Sequence, residues 1–387
     1  MHFDLVIVGG GLAGLSLACA LRDTRLKIAL VETSIPPARP AGWDTRIYAI
    51  TPASAAFLTR IGAWKHLDPE RLCAIHAMKV VGDGGARLDF SAYETGVSEL
   101  GWIIESSLIS CELWESVKRQ SNVHLHFRES PCSLELQRDS AVLKLSSGEA
   151  LTATLVVGAD GRESWVRQTA GLSATSSAYD EMGVVANFAC EKPHRNIARQ
   201  WFRPDGVLAW LPLPGDRVSM VWSTPDAQAQ DLLNLSGAEL ALRVGEAGNH
   251  ELGTLDLLSP AAAFPLRLMR VPQTIAPRVA LIGDAAHGIH PLSGHGINLG
   301  FQDARELSGL LAATPDWEDI GSERLLRRYQ RARKEETVLM QTTTHALHHL
   351  FRETLPGVKT LRNAGMSLTN KLPAAKSLLA RYAIGSL

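Results

Sequence analysis

Apolar and polar positions divide the chain into two kinds of segment. Residues 5–8 form a short, unbroken apolar run, and residues 27–31, apolar after Lys27, form a second stretch that ends on an acid, Glu32. Runs this short and bounded by glycine or polar residues read as buried strands. Between them Leu15, Ala18 and Leu21 recur at helical spacing, predicting a strand, a glycine turn, a helix and a returning strand. Further helices are predicted at residues 52–61 and 108–118, where Leu113 and Val117 share a face. Alternating or apolar runs predict strands at residues 141–145, 153–157, 183–189, 206–213 and 218–222. Residues 181–270 are strand-rich, carry Trp201, Trp210 and Trp222, and predict an antiparallel sheet; tryptophans there are expected in its core more often than against a ligand.

The turn after the first strand is Gly9-x-Gly11-x-x-Gly14. Gly9 permits a tight turn, Gly11 lets backbone N–H groups approach a pyrophosphate, and Gly14 allows helix and strand to pack closely. Glu32, at the end of the next strand, has the spacing of an acid that bonds a ribose hydroxyl, which turns a weak motif into a dinucleotide site. A second glycine-rich stretch lies far downstream. It runs Gly283-Asp284, then Pro291, Gly294, Gly296, Asn298, Gly300 and Asp303, after an apolar strand at residues 279–282. Asp284 thus stands at a strand's carboxyl end, where open α/β sheets place ligand contacts. Its carboxylate can accept from ribityl hydroxyls, Gly294 and Gly296 let backbone lie against a flat ring, and a helix from about Ile297 points its positive end there. Together the two signatures describe one FAD site. Between them, Val156-Val-Gly158-Ala-Asp160-Gly161 reads as a buried strand, a sharp turn and a helix start that Asp160 can cap.

The chain has 387 residues, enough for two or three domains or one elaborated two-domain unit. A net charge of -1 argues against a nucleic-acid partner. The five cysteines have no paired spacing, which suits a reduced, cytoplasmic compartment. The first strand begins so early that no leader is expected before it, and no apolar run reaches the ~20 residues of a membrane span. His287, His290 and His295, like His345, His348 and His349, are not completed by a Cys or carboxylate set, so no metal is expected. A second G-x-G-x-x-G and a C-x-x-C, marks of the two-nucleotide reductases, are missing. Residues 345–387 hold six basic residues against Glu353 alone, with Leu355, Val358, Leu361, Met366, Leu368 and Leu372 among them. Such a segment suits either an anionic membrane surface or partner protein, or an ordinary packed helix with a solvated face.

In the order and spacing of these three motifs the chain resembles the class A flavoprotein monooxygenases. Residues 290–303 resemble, more narrowly, the signature of the ubiquinone-biosynthesis hydroxylases. His295 stands where Gln is usual in that family, Ser293 where Ala or Gly is usual, and Ser106 where Asn, Gln or Arg is common. The resemblance implies an α/β fold: a Rossmann-type FAD-binding domain like that of p-hydroxybenzoate hydroxylase, an inserted antiparallel-sheet substrate domain and a C-terminal helical tail. The FAD domain is expected at residues 1–75, 95–180 and 271–344, the substrate domain at 76–94 and 181–270, and the tail at 345–387. Gly9, Gly11, Leu12, Ala13 and Gly14 would surround the pyrophosphate, Glu32 and Thr33 the adenosine ribose, and Arg46 a phosphate or ribose. Asp160 would serve both FAD and the incoming NAD(P)H. Gly283 and Asp284 would hold the ribityl chain, and Pro291, Gly294, His295, Gly296, Ile297 and Asn298 the isoalloxazine.

The implied activity is hydroxylation of a prenylated phenol in ubiquinone biosynthesis, with O2 and NAD(P)H as co-substrates and a flavin C4a-hydroperoxide as oxidant. The cofactor carries that chemistry, so no side chain is expected as catalytic acid, base or nucleophile. Peripheral contact with the inner face of the membrane, or association with a quinone-biosynthesis complex, is the role that the basic, amphipathic tail would serve, with an ordinary packed helix as the equal alternative. Two alternatives stay open: a hydroxylase of small soluble aromatics, for which Arg199, Arg203 or Arg217 could bind a carboxylate, and a non-catalytic flavin-binding component of such a complex.

Overall fold

The computed structural model describes residues 1–35, 42–289, 294–353 and 355–385. His2–Val8 forms the middle of an eight-stranded sheet, parallel to Ile28–Glu32 on one side and to Ala150–Gly158 on the other. Val123–Phe127 extends the sheet beyond Ile28–Glu32, and Val279–Leu281 lies parallel to Ala150–Gly158. The three apolar strands that end at Val8, Gly158 and Leu281 therefore lie side by side and point the same way. Strand polarity thus brings three sequence-distant motifs to one edge of one sheet.

Close packing there is a matter of missing side chains. A Cβ on Gly14 would run into the Gly9 carbonyl, and one on Gly9, whose φ is +110°, would run into Ala159. Gly283, at φ +60°, lies under Ala13, and a Cβ on Gly300 would sit 3.3 Å from the Gly283 Cα. The helices Leu12–Ala20 and Gly296–Ala312 can pack against the same turn only because these positions are glycine.

A nine-stranded sheet makes up the second half, with Thr175–Cys190 and Arg217–Pro225 at its centre. Its alternation is strict along Gly206–Leu213. Leu208 and Trp210 face the helices Asp226–Asn234 and Gly237–Ala247, while Leu211 and Leu213 face the opposite way. Trp201, Trp210 and Trp222 all lie in that helix-covered core. The hairpin of Ala77–Val81 and Arg87–Ser91 joins the sheet through Ile197–Arg203. A small third sheet, Ile47–Ile50, Gly101–Glu105 and Cys73–Ile75, sits between the two large ones.

Helix Glu323–Arg352 runs unbroken through residue 345, so the boundary expected there falls inside a helix; no Gly or Pro interrupts it. Two further helices follow, Pro356–Asn370 and Pro373–Ile384. They reverse the usual amphipathic arrangement. Their polar residues meet the protein: the Arg362 guanidinium pairs with Asp83, Asn363 bonds Asp83 and the Gly84 N–H, Asn370 accepts from the Asp89 N–H, and Lys376 pairs with Glu94. Burial opposes the Asp83 charge, but Arg362 and Asn363 outweigh it and hold its carboxyl below the usual range. Leu361, Leu368 and Leu378 face outward, 73%, 60% and 58% exposed.

Candidate functional site

The glycine turn, the Asp160 turn and the Asp284 turn lie side by side at the carboxyl ends of the central strands, where open α/β sheets place a ligand cleft. The space beside Gly11 is open, with nothing within 4 Å of where its Cβ would stand. That opening beside the start of helix Leu12–Ala20 fits a pyrophosphate held by N–H groups. At the tip of Ile28–Glu32, one carboxylate oxygen of Glu32 accepts from the Gly10 N–H at 2.5 Å and the other from Thr33 Oγ1 and Ser34. Glu32 thus ties the second strand to the glycine turn, at the position from which a ribose would be reached.

Asp284 is the exposed residue in a stretch that is otherwise buried from Leu281 to Ile289. Among the described residues, nothing hydrogen-bonds its carboxylate. A carboxylate presented outward at a strand end fits the hydroxyl-rich part of a flavin nucleotide. The turn carrying it is held from behind by a buried charge cluster. Asp303, on helix Gly296–Ala312, accepts from the Gly283 N–H at 2.9 Å, His287 Nε2 at 2.6 Å and Arg333 Nε at 2.7 Å. Arg333 also pairs with Glu336. Burial disfavours both charged forms, yet the mutual attraction prevails: His287 is pushed up and the Asp303 carboxyl down from their ordinary values.

Asp160 is engaged as a cap. Its oxygens accept from Ser164 Oγ at 2.5 Å and the Val166 N–H at 3.0 Å, at the start of helix Trp165–Thr169. Arg46 is exposed, with its guanidinium 5.8 Å from the Tyr48 ring. Asn298 is buried and its amide is spent within the protein. It accepts from the Thr51 N–H at 3.0 Å and donates to the carbonyls of Ala49 at 2.8 Å and Gly294 at 3.3 Å. Its side chain fixes Gly294 against the Ile47–Ile50 strand. His295 Nε2 donates to the Ala383 carbonyl at 2.7 Å. Pro291, with His290 and Ser293, lies outside the described residues.

Several residues that frame the site carried no motif. Glu105, 1% exposed, accepts from the Asp44 N–H and takes both nitrogens of Arg71. Asp44 in turn accepts from the Arg46 and Ser107 N–H groups, and Asn187 of the large sheet donates to its carbonyl at 3.0 Å. Glu105 had one visible signal, a charge directly after the apolar pair Ile103-Ile104. Asp303 lay at the end of a recognised motif, but its two distant partners could not be read there. Elsewhere, His348 bonds Glu181 and His345 bonds Tyr179. Among the described residues no group of three His, Cys, Asp or Glu is arranged to hold a metal.

An apolar cluster joins the small sheet to the large one. Trp43, Ile47, Ala49, Ile75, Ile103, Leu211 and Leu213 pack together, and Ala49 lies beside Gly294. Arg71 and Arg217 flank the Trp43 ring at 4.2 and 5.4 Å. Arg199 is paired with Glu251 and Arg203 with Asp205, both at 2.8 Å.

Residues 2–344 match the family described as FAD binding domain. The 3-demethoxyubiquinol 3-hydroxylase of Escherichia coli strain K12 is 32% identical over 99% of this chain and 98% of its own. The ubiquinone hydroxylase UbiL of Rhodospirillum rubrum is 34% identical over 99% of this chain and 90% of its own. Among solved structures, PqsL of Pseudomonas aeruginosa, a probable FAD-dependent monooxygenase, superposes with a TM-score of 0.78 at 24% identity, covering 95% of this chain and 99% of that one. That likeness bears out the α/β fold of an FAD-binding monooxygenase.

Proposed function

The chain belongs to the FAD-binding family of ubiquinone-biosynthesis hydroxylases, and on that premise we propose that its substrate is a prenylated phenol whose ring it hydroxylates. It is an FAD-dependent aromatic hydroxylase. Bound FAD, reduced by NAD(P)H, supplies the oxygen-activating chemistry, placing one atom of O2 in the ring and the other in water. The work of the side chains is to bind, orient and keep water out.

By this reading Gly9, Gly11 and Gly14 with Leu12 and Ala13 hold the pyrophosphate, Glu32, Thr33 and Arg46 the adenosine end, and Asp284 beside Gly283 the ribityl chain. Asp160 closes the turn between them. Gly294, His295, Gly296, Ile297 and Asn298, with Pro291, form the loop beside the flavin ring. The positive end of helix Gly296–Ala312 favours negative charge developing on the reduced ring.

The observation that supports the substrate class is the apolar character of the partly buried Ile47, Ala49 and Leu211, with Ala49 beside Gly294 of the flavin-side loop. A small aromatic acid would want a cation there; Arg199 and Arg203 are committed to Glu251 and Asp205, which leaves Arg217, beside Trp43 and bonded to the Pro214 carbonyl, as the cation for that alternative. The outward leucines of the last two helices, beside Lys359, Lys371 and Arg381, support peripheral contact with an anionic membrane. Flotation with anionic liposomes checks that contact: wild-type protein should float, and a folded Leu361→Asp, Leu368→Asp, Leu378→Asp variant should not.

Deleting the gene in its host and analysing the quinone pool by mass spectrometry tests the activity. A prenylated precursor lacking one oxygen should accumulate, and an inactive Asp284→Ala copy should not clear it. An unchanged pool points instead to a soluble aromatic substrate. Clearance by a flavin-free variant points to a structural component of a biosynthetic complex.

A further inference from the structure

The segment 294–296 reads Gly-His-Gly, so of these three residues His295 alone brings a side chain to the flavin-side loop as helix Gly296–Ala312 begins. Gly294, at φ +62°, and Gly296 offer backbone alone, and glycine backbone is the most freely rotating in the chain. His295 does not turn toward its own helix. Its Nε2 donates to the Ala383 carbonyl at 2.7 Å, in the last turn of helix Pro373–Ile384.

A second contact lands in the same place. Gly385, which ends that helix at φ +72°, lies so near the first turn of helix Pro52–Arg60 that a Cβ on it would come 2.8 Å from the Ala53 Cβ. The cap of that helix is Thr51, whose N–H is bonded to Asn298. Residues 49–54, 294–298 and 383–385 thus meet at one corner, and the far end of the last helix is fixed by the Lys376–Glu94 pair at 2.9 Å. The chain terminus spans from the hairpin side of the large sheet to the loop beside the flavin ring.

We propose that the last helix is a latch on the flavin-side loop and that His295 is a positioning residue acting through it: the terminal turn sets where the loop lies, and the loop sets how firmly the flavin ring is held. The proposal rests on the assignment of residues 294–298 to the flavin ring. It also makes the departure from Gln at this position a conservative one, since a Gln amide can donate at about the same reach as imidazole Nε2.

The test uses the full chain and two readouts, the FAD dissociation constant of apoprotein by flavin fluorescence and hydrogen exchange of amides 294–300 without FAD. His295→Phe removes the donor and keeps the ring; Gly385→Val drives the terminus off Ala53. Each should weaken FAD by about three- to ten-fold, as loss of one part-buried hydrogen bond would, and each should speed exchange at 294–300. Because both break one connection, the double variant should be no worse than the weaker-binding single one, and His295→Gln should behave like wild type. Lys376→Glu should act like Gly385→Val, with Glu94→Lys restoring it. Effects that multiply in the double variant, or Gly385→Val with unchanged affinity and exchange, overturn the latch. Asp284→Ala is run alongside: unaltered FAD binding by that variant would instead overturn the site assignment on which the latch rests.

Discussion

Replacing Asp303 by Asn keeps the side chain's shape and takes its charge out of a position that is 1% exposed. The consequences can be worked from its three partners. Burial disfavours the His287 charge and Asp303 outweighs it, raising the His287 pKa, so without that carboxylate His287 should give up its proton more readily. Arg333 cannot do so. It keeps its pair with Glu336 and a long bond to the Leu299 carbonyl at 3.5 Å. Removing one partner of a buried pair costs about 3–5 kcal/mol. The surviving Glu336 contact argues for the lower end, about 3 kcal/mol. At about 2.1 cal/mol/K of unfolding entropy per residue, a chain of 387 residues should lose about 4 °C in its melting midpoint. Both the apoprotein and the FAD-loaded protein should show the loss, because the cluster lies behind the Gly283 turn and not in the cleft.

The same variant makes a pH prediction. His287 has its pKa raised by folding, so its contribution is complete below the ordinary histidine value and is lost as pH rises through the raised one. Asp303 is lowered, so its contribution is present above the ordinary carboxylate value and is lost as pH falls through the lowered one. The gap between wild type and Asp303→Asn should therefore be widest at about pH 6 and narrow toward alkaline pH, with the Arg333 part persisting. Melting curves from acid to alkaline pH, followed by tryptophan fluorescence, give the answer. Equal midpoints at about pH 6, or a gap that widens as pH rises, would refute the account of the cluster.

Three further outcomes follow from the geometry. Asp284→Ala should fold and melt like wild type without FAD but bind FAD at least about ten-fold more weakly, since each charge-assisted bond lost is worth about 1.5–3 kcal/mol; isothermal titration of the apoprotein measures it. Gly14→Ala should lose FAD and stability together, because its Cβ runs into the Gly9 carbonyl and the helix must move off the strand; flavin absorbance of the purified protein and a melt suffice. Glu105→Gln should destabilise by about 2–3 kcal/mol by weakening the buried pair with Arg71, read from urea unfolding, with Arg71→Met in the same chain recovering part of it.

The residues that carry local geometry were legible without a structure. The strand at 206–213 coincides with Gly206–Leu213, and 141–145 with Ala141–Leu145, because alternation and short apolar runs are set by side-chain direction along the backbone. Strand 153–157 was read short of Ala150–Gly158, whose first residues alternate in burial but precede the continuous apolar run. Gly9, Gly11 and Gly14 were legible for a steric reason: no other residue permits that turn and that packing. The sense of the last two helices was not legible. Their leucines and basic residues are spaced alike whichever side meets the protein, and the choice was made by Asp83, Gly84, Asp89 and Glu94 in a distant hairpin.

The acids divide along the same line. By sequence Glu32, Asp160, Asp284 and Glu105 are each a carboxylate at or near the end of an apolar strand. Folding sends Asp284 outward and spends Asp160 on a helix start, Glu105 on Arg71 and Glu32 on the Gly10 N–H. Which way a carboxylate turns depends on the donors that other segments bring within about 3 Å, and those segments lie tens to hundreds of residues away. The sequence by itself determined the turns, the strands and the family, because these depend on sterics and periodicity within a few residues. Only the tertiary structure decided which polar groups remain available in the cleft and that the chain's last helix reaches back to the loop at His295, because both are settled by long-range partners.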